Sequence, residues 1–286
     1  MSPRTKVAYS RLSQGVSSFA LAAAACGGLL AAAVTVVVAG LVTLMLAGLL
    51  EGRASGRLVW GLLRTARVWV IGVVGYISVA GAALAFHFAS VATVTFLLLL
   101  VPLFAALLAP LYGEQVRRRQ IVALGIGLVG VGCFAAPSTP FADEWRGIAL
   151  ALLASAALAL NWHQNRSLAR RLQAPWAGAA AQTLGPGAIG LTTVAFVASW
   201  PTGASSWLWL LVAGVGYAGN TGLRLSGLRS IPASSAALLA PISAITSSLL
   251  ALVVLGQRPD ALTLLGAAIV VVGVVVAATG PIVSEG

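Results

Sequence analysis

Residues 12–50 read LSQGVSSFALAAAACGGLLAAAVTVVVAGLVTLMLAGLL, a run of 39 residues without a charge. A helix crosses a hydrocarbon core of ~30 Å in about 20 residues, so this run is too long for one tilted span and barely enough for two. Dividing it near Gly27–Gly28 predicts two helices. Beyond it, charges and turn residues separate eight further apolar runs: 68–88, 90–113, 120–136, 147–165, 175–199, 206–226, 231–256 and 261–281. The expected fold class is an all-α membrane protein of ten transmembrane helices.

Charge placement tests that division independently. With ten spans and a cytoplasmic N-terminus, the cytoplasmic segments hold Arg4, Lys6 and Arg11; Arg53, Arg57, Arg64 and Arg67; Arg117–Arg119; Arg166, Arg170 and Arg171; and Arg224 and Arg229. These are 15 of the 17 cations, leaving only Arg146 and Arg258 outside. Reading 12–50 as one helix lowers the bias to 12 against 5, so the positive-inside rule favours ten spans and two cytoplasmic termini. The alternative is a cleaved leader, since Leu21–Cys26 resembles a lipoprotein cleavage site.

Composition excludes the soluble classes. The 286 residues are 59% hydrophobic and 8% charged, against about 25% charged in a soluble domain. The net charge of +11 comes from short Arg clusters between apolar runs, a membrane pattern that gives no reason to invoke nucleic acid. Cys26 and Cys133 lie among Ala, Gly and Val and read as inert thiols, and no cofactor is expected.

The two halves echo each other. Ala89-Ser-Val-Ala-Thr-Val-Thr leads through Leu97–Pro102 to Tyr112-Gly113-Glu114, then to Gly125 and Gly132. Ser230-Ile-Pro-Ala-Ser-Ser-Ala leads through Leu238–Pro241 to Leu255-Gly256-Gln257, then to Gly266 and Gly273. Five spans per half forces the second half to enter from the opposite side, which predicts inverted repeats over residues 1–138 and 139–286. This block, present twice in ten spans, resembles the drug/metabolite transporter superfamily, specifically its EamA-type exporters, with the bacterial aromatic-amino-acid exporter branch the nearest match. The chain departs from that pattern in a short first hairpin without the Trp often found in the first helix.

All six acidic residues fall in loops or at helix ends. That argues against an embedded carboxylate that binds cations, and against a membrane enzyme built on carboxylate acid/base or metal chemistry. A polar, uncharged lining suits neutral or zwitterionic solutes. Candidate substrate contacts are Tyr76 and Ser78 on the third span, Thr95 on the fourth, Trp162 on the sixth, Gln182 on the seventh, Tyr217 and Asn220 on the eighth, and Ser243 and Thr246 on the ninth. Tyr217, Asn220 and Thr221 are spaced i, i+3, i+4 and share a helix face. His87 and His163 are candidate gating or proton-sensitive groups, or else interfacial histidines bonded to backbone. Arg224 reads as a snorkelling anchor at the inner end of its span, with attraction of an entering anion as the alternative.

The expected function is a secondary exporter in the bacterial inner membrane, moving amino acids or similar neutral or zwitterionic metabolites by alternating access. Its partners are the small solute and the lipid bilayer; the Gly125–Gly132 stripe also offers a dimer contact, a monomer serving equally. Export is implied by the resemblance alone. The rivals are a carrier for sugars, nucleotide sugars, bases or drugs, and a membrane enzyme or structural subunit. A nucleotide sugar would call for several cations deep in the cavity, and the sequence shows none plainly.

Overall fold

The computed structural model describes residues 1–24, 27–113, 144–196, 200–231, 239–256 and 261–278, with ten isolated positions between 118 and 130 and at 233 and 236. The described residues form α1 (Pro3–Ala23), α2 (Gly28–Leu50), α3 (Ser55–Leu63), α4 (Ala66–Phe88), α5 (Val91–Leu97), α6 (Val101–Leu108), α7 (Glu144–Ala169), α8 (Pro175–Val194), α9 (Ala204–Leu228), α10 (Ala240–Leu255) and α11 (Ala261–Ala278). Three-residue and four-residue 3-10 turns, Leu98–Leu100 and Ala109–Tyr112, follow α5 and α6. Gly28–Leu50, Ala66–Phe88, Thr93–Tyr112 and Glu144–Ala169 are each long and apolar enough to cross a membrane.

The division at Gly27 holds, with α1 ending at Ala23 and α2 starting at Gly28. The start of the first span does not hold. Ser2 caps α1 by accepting from the Thr5 amide at 3.2 Å, so the helix already runs from Pro3 and carries Arg4, Lys6 and Arg11 within it. The first charge-free position was therefore a poor guide to the first helical one. The loop after α2 also holds the short helix α3, whose Trp60 is exposed while Val59 is buried.

The faces are sorted as a lipid-facing bundle requires. On α4, Val70, Val73 and Ile77 are exposed while Ile71, Gly75 and Ser78 are buried. Small residues let the helices approach. Gly216 and Gly219 of α9 face Ser13 of α1, and the Ser17 hydroxyl donates to the Ala213 carbonyl at 2.8 Å. Gly187 of α8 lies against Val36 and Val37 of α2, and Gly81 of α4 against Ala154 of α7. The dominant partnerships are α1 with α9, α2 with α8 and α4 with α7. The glycines of Tyr112-Gly113 and Leu255-Gly256, matched between the halves in the sequence, both end helices in the left-handed region, with φ of 74° and 65°.

One end of the bundle gathers the cations. Glu51, at the end of α2, accepts from the Trp176 and Ala177 amides at 2.8 and 2.9 Å, placing a carboxylate on the α8 N-terminus. Arg67 donates to Ser167 and Arg229 to the Gln173 carbonyl at the same end. We expect Glu51→Ala to destabilise the protein by about 1–2 kcal/mol, as loss of an N-terminal cap does, visible as a lower melting temperature in detergent.

Candidate functional site

Four helices, α1, α4, α7 and α9, turn polar faces toward one another. A cavity of ≈ 40 Å³ between them is lined by Gln14, Ser17 and Ser18 of α1, Ser78 of α4, and Tyr217 and Asn220 of α9 among its polar residues. That space holds only a few waters. Asn220 is 1% exposed, and neither its Nδ2 nor its Oδ1 has a partner among the described residues. A buried amide left unsatisfied costs about 1–3 kcal/mol, so this residue is not there for stability.

Below the cavity the same faces become cationic. Arg11, Gln14 and Ser18 follow one another along α1 at i, i+3 and i+7; Tyr217, Asn220 and Arg224 do the same along α9. Arg11 and Arg224 are each 1% exposed, and both sit on the ring of the fully buried Trp162, at 4.0 and 5.4 Å from its centroid. Arg11 Nη1 donates to Gln14 Oε1 at 2.7 Å, and Gln14 in turn lines the cavity. Arg224 Nη2 donates to Asn161 Oδ1 at 3.0 Å, an oxygen that also accepts from Asn165 Nδ2 at 2.7 Å; Asn161 Nδ2 donates to the Ile71 carbonyl at 2.8 Å. Gly75 makes room for this meeting, because a Cβ there would stand 3.2 Å from Asn161 Nδ2 and 3.7 Å from the Tyr217 hydroxyl.

The electrostatic balance is incomplete. Arg11 Nε and Nη2 and Arg224 Nε and Nη1 have no partner, and no carboxylate pairs with either guanidinium among the described residues. An Arg at a span centre costs about 2.5–3.5 kcal/mol on insertion scales, and Arg11 and Arg224, nearer the ends of their helices, cost less. A desolvated cation–π contact returns about 2 kcal/mol, and each unmade buried hydrogen bond takes back about 1–3. The two cations therefore weaken the protein as it stands, which makes their retention a functional signal. With a rise of 1.5 Å per residue, Arg11 lies about 12 Å from the start of α1, Trp162 about 10 Å from the end of α7 and Arg224 about 6 Å from the end of α9.

These positions correct two expectations. Arg224 does not snorkel: its head points at Trp162 and Asn161, inside the bundle. Arg11 does not lie in a loop, because α1 begins eight residues before it and carries it against α7 and α9. Buried cations are thus present, and the argument against a nucleotide sugar loses its premise.

The other sequence-predicted residues divide. Ser78, Tyr217 and Asn220 line the cavity and Trp162 forms the floor of the cationic end. Gln182 is buried with its amide nitrogen, Nε2, unpartnered among the described residues, on the face of α8 that meets Gly72 of α4. Tyr76 packs its ring over Gly190 of α8, away from the cavity. Thr95 donates to the Val91 carbonyl at 2.7 Å and lies 3.4 Å from the Ser248 hydroxyl. Ser243 and Thr246 of α10 meet Gly15 of α1, and the Thr246 hydroxyl donates to the Ile242 carbonyl at 2.7 Å. His87 is exposed at the end of α4, whereas His163 is 2% exposed, with Nε2 2.8 Å from the Ala105 carbonyl and its ring stacked on Tyr112 at 4.7 Å. In the glycine stripe, Gly127 faces Leu100 and Leu103 of its own chain; Gly132 lies outside the described residues. We expect His163→Phe, which keeps the ring stack and loses the bond to Ala105, to cost about 1 kcal/mol in thermal stability and to leave transport unchanged.

Arg11 falls outside the sequence-predicted site because the span is cut at the first charge-free position, and Gln14, inside that span, is not among the predicted contacts. The signal was present, since Arg11, Gln14 and Ser18 extend one helical face.

Known proteins place this architecture. A solved crystal structure, 24% identical with a TM-score of 0.70 over 96% of each chain, has the same fold. A protein of Archaeoglobus fulgidus described as an uncharacterized transporter is 26% identical over 208 residues, 72% of this chain and 74% of its own length. Residues 145–279 match the EamA-like transporter family, and together with that relative they support a multi-pass membrane transporter.

Proposed function

We propose that the chain is a ten-span secondary carrier of two oppositely oriented five-helix halves, residues 1–138 and 139–286, exporting small metabolites, amino acids foremost, across the bacterial inner membrane by alternating access. The observation that carries this reading is the small cavity with the unpartnered Asn220 amide, lined by α1, α4, α7 and α9. Helix pairing supports the inverted arrangement. Matching the first, second and third long helices of each half, α1 with α7, α2 with α8 and α4 with α9, turns the α1–α9 partnership into α7–α4 and leaves α2–α8 unchanged. Pro186 lies inside α8 between Gly185 and Gly187, and this is where we place the hinge on which such a bundle rocks.

The test is counterflow in proteoliposomes with a panel of labelled amino acids. Accumulation of at least one of them against a preloaded solute, reduced at least tenfold by Asn220→Leu, supports a carrier. Folded Asn220→Leu protein that transports like the parent contradicts it. An imposed pH gradient without effect on accumulation assigns the flux to facilitated diffusion.

A further inference from the structure

The Arg11–Trp162–Arg224 cluster has a geometry that neither packing nor the neutral-solute reading uses. Two guanidiniums approach one indole, each retains one hydrogen bond within the protein, and each keeps two nitrogens unpartnered. Guanidinium presents a planar fork of donors matched to the oxygens of a carboxylate or phosphate. Glu51, the acid described at this end of the bundle, is already bound to the α8 amides. Among the described residues no carboxylate is left to neutralise the cluster, and its positive charge suits a bound anion. Gln14 joins the cluster to the cavity, because its Oε1 takes the Arg11 proton while its side chain lines the space shared with Asn220 and Tyr217.

We infer that Arg11 and Arg224, with Trp162 as the floor between them, form an oxyanion-binding subsite, and that the transported solute is a small organic acid of net negative charge whose carboxylate or phosphate group is held there. The rest of such a solute extends toward Asn220 and Tyr217, whose amide and hydroxyl receive its polar groups. Binding converts the idle N–H donors into charge-assisted hydrogen bonds and neutralises the pair. This inference rests on the carrier reading and replaces its neutral or zwitterionic solute class with anions.

The test uses the full chain in nanodiscs of phosphatidylcholine, so that no anionic lipid competes, with ionic strength held constant by NaCl. Melting temperature and Trp fluorescence are followed against succinate, glycerol 3-phosphate and leucine. Saturable stabilisation by succinate or glycerol 3-phosphate, at a midpoint at least tenfold below that of leucine, is the expected result; the two probes tell a carboxylate site from a phosphate site. Arg11→Gln and Arg224→Gln should each raise that midpoint at least tenfold while raising the melting temperature of the ligand-free protein, because an uncompensated buried cation is removed. A structural role predicts a lower ligand-free melting temperature instead, and that outcome overturns the inference, as does equal binding of leucine and succinate. Counterflow separates the failures. Leucine flux without preference for anions retains the carrier and rejects the subsite, whereas anion binding without flux retains the subsite and rejects the carrier.

Discussion

Trp162→Ala is expected to remove about 3–5 kcal/mol of stability, the range for deleting a buried Trp side chain, and to do so through more than a cavity. The indole is fully buried and is the shared contact of Arg11 and Arg224. Its loss leaves both guanidiniums desolvated without the ring that offsets them, each forfeiting about 2 kcal/mol of cation–π attraction. A double-mutant cycle makes this specific. Adding Arg11→Gln to Trp162→Ala should raise the melting temperature by more than Arg11→Gln raises it in the parent, because the cation that the alanine strands is then gone. Equal gains in the two backgrounds would show that the ring and the cation are not coupled.

Gly72→Ala is the second large effect, and it acts on assembly. A Cβ at this position would stand 2.3 Å from the Gln182 carbonyl oxygen and 2.6 Å from Pro186 Cγ. The obstacle is backbone and a ring inside the α8 helix, neither of which rotates away, so α4 and α8 must separate. Overpacking of a closed core costs about 1–3 kcal/mol even where side chains can give, and here we expect more, seen as a collapse in the yield of monodisperse protein. Gly48→Ala is the control. Gly48 is exposed on α2 with nothing near its added methyl, so this substitution should be neutral or gain up to about 1 kcal/mol. Equal yields for the two variants would mean that α4 and α8 do not meet as described.

Much of the fold was legible because apolar length and charge placement are strong signals in a chain of this composition. The break at Gly27, the helix ends at Gly113 and Gly256, and the polar face of Tyr217 and Asn220 could all be read from residue types and spacing. Hydroxyls were a weaker guide. Thr95, Thr246 and Ser247 satisfy themselves on carbonyls three or four residues back in their own helices, so a polar residue in a span need not face a cavity. The cationic end was hidden for the opposite reason. In a membrane chain a charge ordinarily marks the edge of a span, yet Arg11 continues the face of Gln14 and Ser18, and Arg224 that of Tyr217 and Asn220, into the bundle. Short α3 escaped notice because its nine residues lie within an Arg-rich connection.

Alternating access through the cavity is the central claim, and accessibility from the two sides of the membrane tests it most directly. Cys26 and Cys133 are replaced by serine, Asn220→Cys is introduced, and a membrane-impermeant thiol reagent is applied to right-side-out and to inverted vesicles. The account predicts labelling from both faces, slowed from each by transported solute. Labelling from neither face, or from one face alone without any effect of solute, would contradict it.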